Sequence, residues 1–361
     1  MNLRKLILPI LSLCLVVLSC KKDDDAPIEA PALRDRQEVY DENLVEIETY
    51  LETHFYNYEA FDFADPYSQA NDTFSIVFDT ISGVNSDKTP LMDQVDFKTV
   101  TEDDVDYKLY FLKVRQGLGK PVNALDRAAV LYNGTIPEGA SFDSAVTIGA
   151  GQPLNLTTVG STFGVVSGFR EGIVEFNAST GFTENGNNEI TYDDHGIGAV
   201  FIPSGLGYFA VPPSTVIPQY SPLIFTLRVV SRSNTDWDED GIPSHMEHPD
   251  GDYSGSDDDT DGDSFVNFVD SDDDGDGVLT EDEVKQKEYE DDGANAFMTK
   301  AEAVAYYDAN IANNGENELF IRTELKLDGT YTLHTTVIPQ TLVDGVLVSN
   351  YLNSNITTVL E

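Results

Sequence analysis

The stretch from Asp236 to Asp292 carries 24 Asp and Glu against two Lys, a net charge of −22 out of −43 for the whole 361-residue chain. So much like charge, with so few apolar side chains, cannot build an ordinary core. The stretch either stays a solvated acidic linker or folds around cations. Its oxygens are spaced. Asp236, Asp238 and Asp240 alternate, Gly241 stands sixth, and Ser244 and Glu247 stand ninth and twelfth. Alternate residues of a tight loop can all point at one hard cation, a Gly at the sixth position permits the sharp turn, and the last Glu closes the shell. Asp272, Asp274, Asp276, Gly277, Thr280 and Glu283 repeat the pattern, while Asp259, Asp261, Asp263 and Asp270 form a degenerate version with Ser264 in the Gly place. Ile242 and Val278, at the seventh position, complete the two full sets. Thr280 and Glu283 also have capping-box spacing, which predicts a helix start.

This spacing is that of an EF-hand loop. Pro243 has no N–H for the backbone exchange that joins paired EF-hands, so a paired sensor is not expected. The dense Asp repeats resemble the thrombospondin type-3 or single-loop repeats of extracellular proteins. That resemblance implies structural calcium, bound in the range of about 10⁻⁴–10⁻³ M, and a segment that stiffens into a spacer when loaded. The same acidity argues against nucleic acid as a partner, because phosphates are repelled and no basic stripe exists.

The N-terminus reads as a processing segment. Arg4 and Lys5 precede an apolar run, Leu6 to Leu18, that is short for a membrane span. Val17-Leu18-Ser19-Cys20 resembles the lipobox of a bacterial lipoprotein, with Cys20 as the lipidated residue; a signal peptide cut elsewhere is the alternative. The following KKDDDAP resembles the surface-export signal of lipoproteins in the Bacteroidetes group, or is simply a charged tether. Either reading places the chain on an outer membrane, with the cell surface favoured. Cys14 would leave with the signal, so thiol chemistry and disulfides are not expected.

Residues 1–19 are thus expected to be a signal peptide and 20–34 a tether in which Pro27 and Pro31 resist helix. Over 35–104, Tyr40, Leu44, Ile47, Leu51 and Phe55 recur at steps of three and four, predicting an amphipathic helix packed on the domain that follows. Strand-like runs at 74–81 and 95–100 follow, either extending the next sheet or forming a small subdomain. A domain spans 105–231, the acidic repeats 232–292, and a C-terminal β-rich unit 293–361, with a helix over 299–312 and strands over 320–327, 329–338 and 345–352.

Within 105–231 the chain spells AVLYNG, SFDSA, VVSGFREGI, IPSGLGY and VIPQYSPLIF in order. AVLYNG reads as an apolar strand entering an Asn-Gly turn. The later pieces set aromatic and branched side chains beside Pro and Gly, which suits a groove lined by loops. Taken singly, each aromatic is best read as core packing. In this order, together, they resemble the FKBP family of peptidyl-prolyl cis/trans isomerases.

The resemblance implies an α+β fold: an antiparallel sheet wrapped on a short helix, here preceded by the amphipathic helix and followed by the calcium loops and the small β-rich unit. It implies a pocket lined by Tyr132, Phe142, Leu154, Val165, Val166, Phe169, Ile217 and Phe225. Asp143 would stand at the edge, Tyr208 would donate its hydroxyl to a substrate carbonyl, and the Val166 N–H would donate a second hydrogen bond. Gly168 would allow the turn into the short helix. Leu154 stands where the family usually has an aromatic, Phe169 where it commonly has Trp, and Phe209 where it usually has Gly. The polar stretch 177–194 is longer than the family minimum and is expected as a loop or hairpin near the site.

Proline-containing polypeptides are the implied clients, with no cofactor for catalysis. The enzyme reading is a lipid-anchored folding factor for envelope or secreted proteins. A non-catalytic proline-loop-binding subunit of an outer-membrane secretion or assembly complex is the alternative, and a calcium-stiffened attachment rod with an idle groove is a third. No i, i+4 His pair, phosphate loop or G-x-S-x-G turn competes with these readings, and His54, His195 and His334 need no special role.

Overall fold

The computed structural model describes residues 32–149, 152–184, 190–248, 258–290, 296–357 and 359–360. The signal-like segment, the tether to residue 31 and Cys20 lie outside the described residues. Among the described residues, no helix is long and apolar enough to cross a membrane.

Asp35 caps helix α1 (Arg36–Thr53) by accepting a hydrogen bond from the Glu38 N–H. The short strands β1 (His54–Tyr56) and β2 (Phe78–Thr80) pair with each other. A main sheet then collects β3 (Val95–Glu102), β4 (Val105–Arg115), β5 (Arg127–Thr135), β6 (Ser141–Ala145) and β7 (Leu154–Asn155). Helix α2 (Ser167–Ile173) and a separate hairpin, β8 (Gly181–Glu184) with β9 (Ile190–Asp193), come next, and the strands β10 (Gly196–Ile202) and β11 (Leu223–Ser233) complete the sheet. The sheet order is β3-β4-β10-β11-β5-β6, all antiparallel, with β7 added beside β5. The 95–100 run therefore extends the main sheet, whereas little of the 74–81 run forms strand.

β10 is buried at every position, which an antiparallel strand with one wet face would not be. Its two faces serve two cores. Val200 and Ile202 pack with Tyr107, Leu109, Phe169 and Phe225 over α2. Ile197, Ala199 and Phe201 pack with Ile47, Leu51 and Leu91 from α1 and the N-terminal segment. Helix α1 covers the second face of the sheet through Ile47 and Leu51, while Tyr40 reaches the first core and Phe55, expected on the same helical face, falls in β1 after the helix has ended. Covering an apolar face contributes about 25 cal/mol per Å² removed from water. α2 presses closely on β10: a Cβ at Gly168 would collide with Ile202 and Leu206, and one at Gly172 with Val200. Gly168 lies inside α2, so it serves close packing and not the turn expected from the sequence.

Beyond the acidic loops, α3 (Thr280–Glu283) is a single turn and runs into β12 (Lys285–Tyr289). Helix α4 (Lys300–Asn310) has a complete capping box from Thr299 and Glu302. The strands β13 (Glu318–Leu325) and β14 (Tyr331–Val337) form a three-stranded sheet with β12, and β15 (Gln340–Val343) pairs with β16 (Val346–Ser349). The α+β architecture with a small β-rich C-terminal unit is therefore present. The expected boundary at 292 is not where the chain divides, since β12 already belongs to the C-terminal sheet. The acidic segment is also no extended spacer. Ile242, from its first loop, and Val284 share a core with Ile338 and Tyr351, so the loops fold back on the unit that follows them.

Candidate functional site

Four rings form a cup at one end of the main sheet. The Phe169 and Phe225 centroids are 4.7 Å apart, Tyr132 stands 5.5 Å from Phe169, and Phe142 stands 5.4 Å from Phe225. Tilted and edge-on contacts of this kind are the favoured aromatic geometry. Leu154, Val165, Val166 and Tyr208 pack around the cup half-buried, with Ile217 buried behind. Gly134 makes room for it: a Cβ there would strike the rings of Phe142 and Phe225. Asn133 and Gly134 lie within β5, so the predicted Asn-Gly turn is instead a place where rings cross the strand.

The polar groups sit at the rim. The Tyr132 hydroxyl donates to Asp143 Oδ2 at 2.8 Å. Neither the Tyr208 hydroxyl nor the Val166 N–H has a hydrogen-bond partner among the described residues. Burial, and then the charge of Asp143, pushes the Tyr208 phenol above its ordinary value, so it keeps its proton as a donor. The arrangement is an apolar cluster of rings with two donors at its edge that have no partner among the described residues.

Two features of the neighbouring loops bear on the cup. The β8–β9 hairpin lies behind the sheet: Tyr192 packs on Ala129, Leu131 and Val230, on the β5 face opposite Tyr132. A polar insertion after α2 reveals its length, not the face it covers. Phe209, in turn, adopts φ +47°, the left-handed region that favours Gly. It is held there by Tyr220, with centroids 4.9 Å apart, and by the Arg36 guanidinium 4.4 Å over its ring. Asn43 of α1 fixes the same loop, accepting from the Ser204 N–H and donating to the Tyr220 carbonyl, both at 2.8 Å. Helix α1 thus braces the loop that carries Tyr208.

The acidic loops share one hydrogen-bond pattern. The first residue accepts from the sixth N–H: Asp236 from Gly241, Asp259 from Ser264, Asp272 from Gly277. The fifth accepts from the seventh: Asp240 from Ile242, Asp263 from Phe265, Asp276 from Val278. Every sixth residue has positive φ, 96°, 84° and 91° in turn, so the second loop keeps the turn despite Ser264. Ser264→Gly should therefore raise the melting temperature, by about 1 kcal/mol of stability, and Gly277→Ala should lower it comparably; melting scans of the full chain would read both. Unchanged melting in both variants would exclude the turn argument.

Each loop gathers three carboxylates with oxygens within 4.8 Å of one another: Asp236, Asp238 and Asp240; Asp259, Asp261 and Asp263; Asp272, Asp274 and Asp276. Asp270 stays outside its trio, its carboxylate turned to the Asp272 N–H. Ser244 accepts from the Trp237 N–H, and Glu283 is buried beside the third trio. Thr280 does not cap a helix; its hydroxyl donates to Asp273, and Leu279 takes the cap position. Burial first, then neighbouring carboxylates, pushes Asp238 up to about 7, and Asp240 and Glu283 up to about 8. Oxygens of Asp236, Asp238, Asp240, Asp272, Asp274, Asp276 and Glu283 are buried without a hydrogen bond. An all-oxygen donor set with buried, unsatisfied carboxylates fits a hard divalent cation.

Sequence reading misses Asp273, buried beside the first loop, and the Arg115–Asp72 pair, 2.9 Å apart and almost fully buried. Asp273 looks like filler between spaced ligands, and Asp72 lies in an irregular polar segment. Neither has a local signal.

A family model described as BamM C-terminal matches residues 237–318, covering the first loop through the start of β13. Two solved structures, the first of them a peptidyl-prolyl cis-trans isomerase, are also similar to parts of the chain. One, from Pseudomonas syringae pv. tomato str. DC3000, is 21% identical, covering 38% of this chain and 80% of its own, with a TM-score of 0.27. The other, FkpA from Escherichia coli, is 25% identical, covering 37% of this chain and 51% of its own, with a TM-score of 0.25. No curated protein matches. Likeness at these TM-scores carries no argument about activity, which has to come from the groove.

Proposed function

We propose that the chain is a peptidyl-prolyl cis/trans isomerase of the cell envelope, tethered through a lipid on Cys20 and acting on proline-containing polypeptides. The observation that carries this reading is the aromatic cup with the Tyr208 hydroxyl and Val166 N–H free at its rim. The barrier to X-Pro rotation is amide resonance, about 18–20 kcal/mol. No nucleophile or proton transfer is needed, only tighter binding of the twisted amide than of either planar form. Twisting removes conjugation and lowers the amide's polarity, so walls of Tyr132, Phe142, Phe169 and Phe225 favour the twisted state. Tyr208 and Val166 would hold the neighbouring carbonyls while the bond turns, and Asp143 holds Tyr132 in place.

The wild-type full chain should accelerate isomerisation in a protease-coupled proline-peptide assay. Tyr208→Phe should lower kcat/KM about tenfold, the value of one hydrogen bond made in the transition state. A wild-type rate equal to background would remove the enzyme and leave a proline-binding groove. That second reading, a non-catalytic subunit of an outer-membrane assembly complex, draws support from the BamM C-terminal match. It predicts that Tyr208→Phe reduces partner retention where no turnover exists. For the tether, Cys20→Ser should release the protein from the membrane fraction, and protease added to intact cells distinguishes the two membrane faces.

A further inference from the structure

Asp240 and Glu247 belong to the first acidic loop, and Asp273 is the second residue of the third. Oxygens from these three side chains lie within 4.8 Å of one another. The residues are 2%, 2% and 1% exposed. No protein group pairs with them: Asp240 Oδ2, both Glu247 oxygens and Asp273 Oδ1 have no hydrogen-bond partner, and no salt bridge among the described residues reaches any of the three.

A single buried carboxylate without a partner is costly, and three facing one another are costlier. Local geometry does not force Asp273 into this position. The second residue of the second loop, Thr260, is exposed, and that of the first is Trp237. Asp273 is instead aimed. The Thr280 hydroxyl donates to its Oδ2 at 2.8 Å, and its own N–H donates to Thr280 Oγ1 at 3.2 Å, leaving Oδ1 to face Asp240 and Glu247. Thr280 is fully buried, so this orientation is fixed.

We propose that Asp240, Glu247 and Asp273 form a composite divalent-cation site, in which the third loop supplies a ligand to a cation held by the first. The proposal rests on reading these loops as cation sites and is independent of the isomerase reading. An oxygen-only set of three carboxylates suits calcium. The cation would join distant parts of the chain. The first loop is tied to the segment that leads into β5 of the main sheet: the Thr235 hydroxyl donates to the Leu125 carbonyl at 2.6 Å, and the Thr235 carbonyl accepts from the Ser244 N–H at 2.9 Å. The third loop leads through α3 into β12 of the C-terminal sheet. Occupying the site therefore clamps the C-terminal unit to the sheet that carries the groove, and the first loop binds tightly only when the third is folded against it.

The chain has one Trp, and it is Trp237, between the ligands Asp236 and Asp238. Terbium added alone to the full chain and excited at the long-wavelength edge, where Trp but not Tyr absorbs, should be sensitised through Trp237 and displaced by calcium chloride, giving a signal that reports on the first loop. Asp273→Asn should raise the terbium concentration at half-saturation by about tenfold or more. Asp259→Asn, in the second loop, should leave it unchanged. Melting supplies a second sign. In excess chelator Asp273→Asn should melt above wild type, because an ionisable carboxyl no longer has to be buried beside two others, and in excess calcium below it. Thr280→Val, which removes the hydroxyl that aims Asp273 and leaves every carboxylate of the first loop in place, should weaken terbium several-fold should Asp273→Asn fail to fold. A titration unmoved by Asp273→Asn, or a variant that melts lower in chelator as well as in calcium, would overturn the composite site. Absence of any sensitised emission would overturn it together with the cation reading of the loops.

Discussion

In excess chelator the full chain is expected to lose protease resistance between Asp236 and Tyr351 first, while the main sheet and α1 remain protected. The loops and the C-terminal unit share one small core, Ile242, Val284, Ile338 and Tyr351, and above it lie carboxylates without partners. A core that small cannot offset several buried charges. At free calcium about a hundredfold above Kd, each bound ion stabilises by about 2.7 kcal/mol, so removing several shifts the local equilibrium strongly. The pH dependence gives the sign. Asp238, Asp240, Glu283 and Asp273 are raised to about 7, 8, 8 and 9 in the folded, cation-free chain. A raised carboxyl stabilises the fold only while protonated, so that stability is present below its unfolded value of about 4 and lost as pH rises through 7 to 9. Chelated protein should therefore melt higher at pH 5 than at pH 8, and saturating calcium should reverse the order. Identical melting and cleavage with calcium and with chelator would refute the cation reading.

Asp72→Ala should destabilise the main unit by about 3–5 kcal/mol, the cost of stranding a buried charge. Arg115 has no exposed side-chain surface, and its ion pair with Asp72 joins the N-terminal segment to β4. Its Nε also donates to the His195 carbonyl at 2.8 Å, and Asp72 accepts from the Asp194 N–H, so the pair fixes the base of the β8–β9 hairpin as well. Replacing both partners, Asp72→Ala with Arg115→Met, should recover much of the loss, because no unpaired charge then remains. Denaturant midpoints of the single and double variants test this. A single variant costing under about 1 kcal/mol would show that water reaches the guanidinium.

Much of the architecture is legible locally. The periodicity of Tyr40, Leu44, Ile47 and Leu51 identifies α1 and its buried face, because a 3.6-residue repeat needs no tertiary information. The ordered motifs from AVLYNG to VIPQYSPLIF locate the residues that gather in the cup. Other features are illegible for definite reasons. Gly134 carries a turn signal, but rings from two other strands decide its conformation. The insertion after α2 has the composition of a loop, and composition does not specify which face of the sheet it covers. Thr280 and Glu283 match a capping box, yet the Thr280 hydroxyl is taken by Asp273.

The acidic stretch divides along the same line. Sequence alone determines that it has no independent core, that three loops place carboxylates at alternate positions, and that the sixth residue of each must turn. Those properties depend on neighbours within a dozen residues. Only the tertiary structure decides that the loops fold back on the C-terminal unit, that β12 leaves them for its sheet, and that Asp273 faces Asp240 and Glu247 across two loops. Side-chain direction within a loop follows local backbone geometry. Which loops meet depends on the long-range packing of Ile242, Val284, Ile338 and Tyr351, and no short window of sequence contains that information.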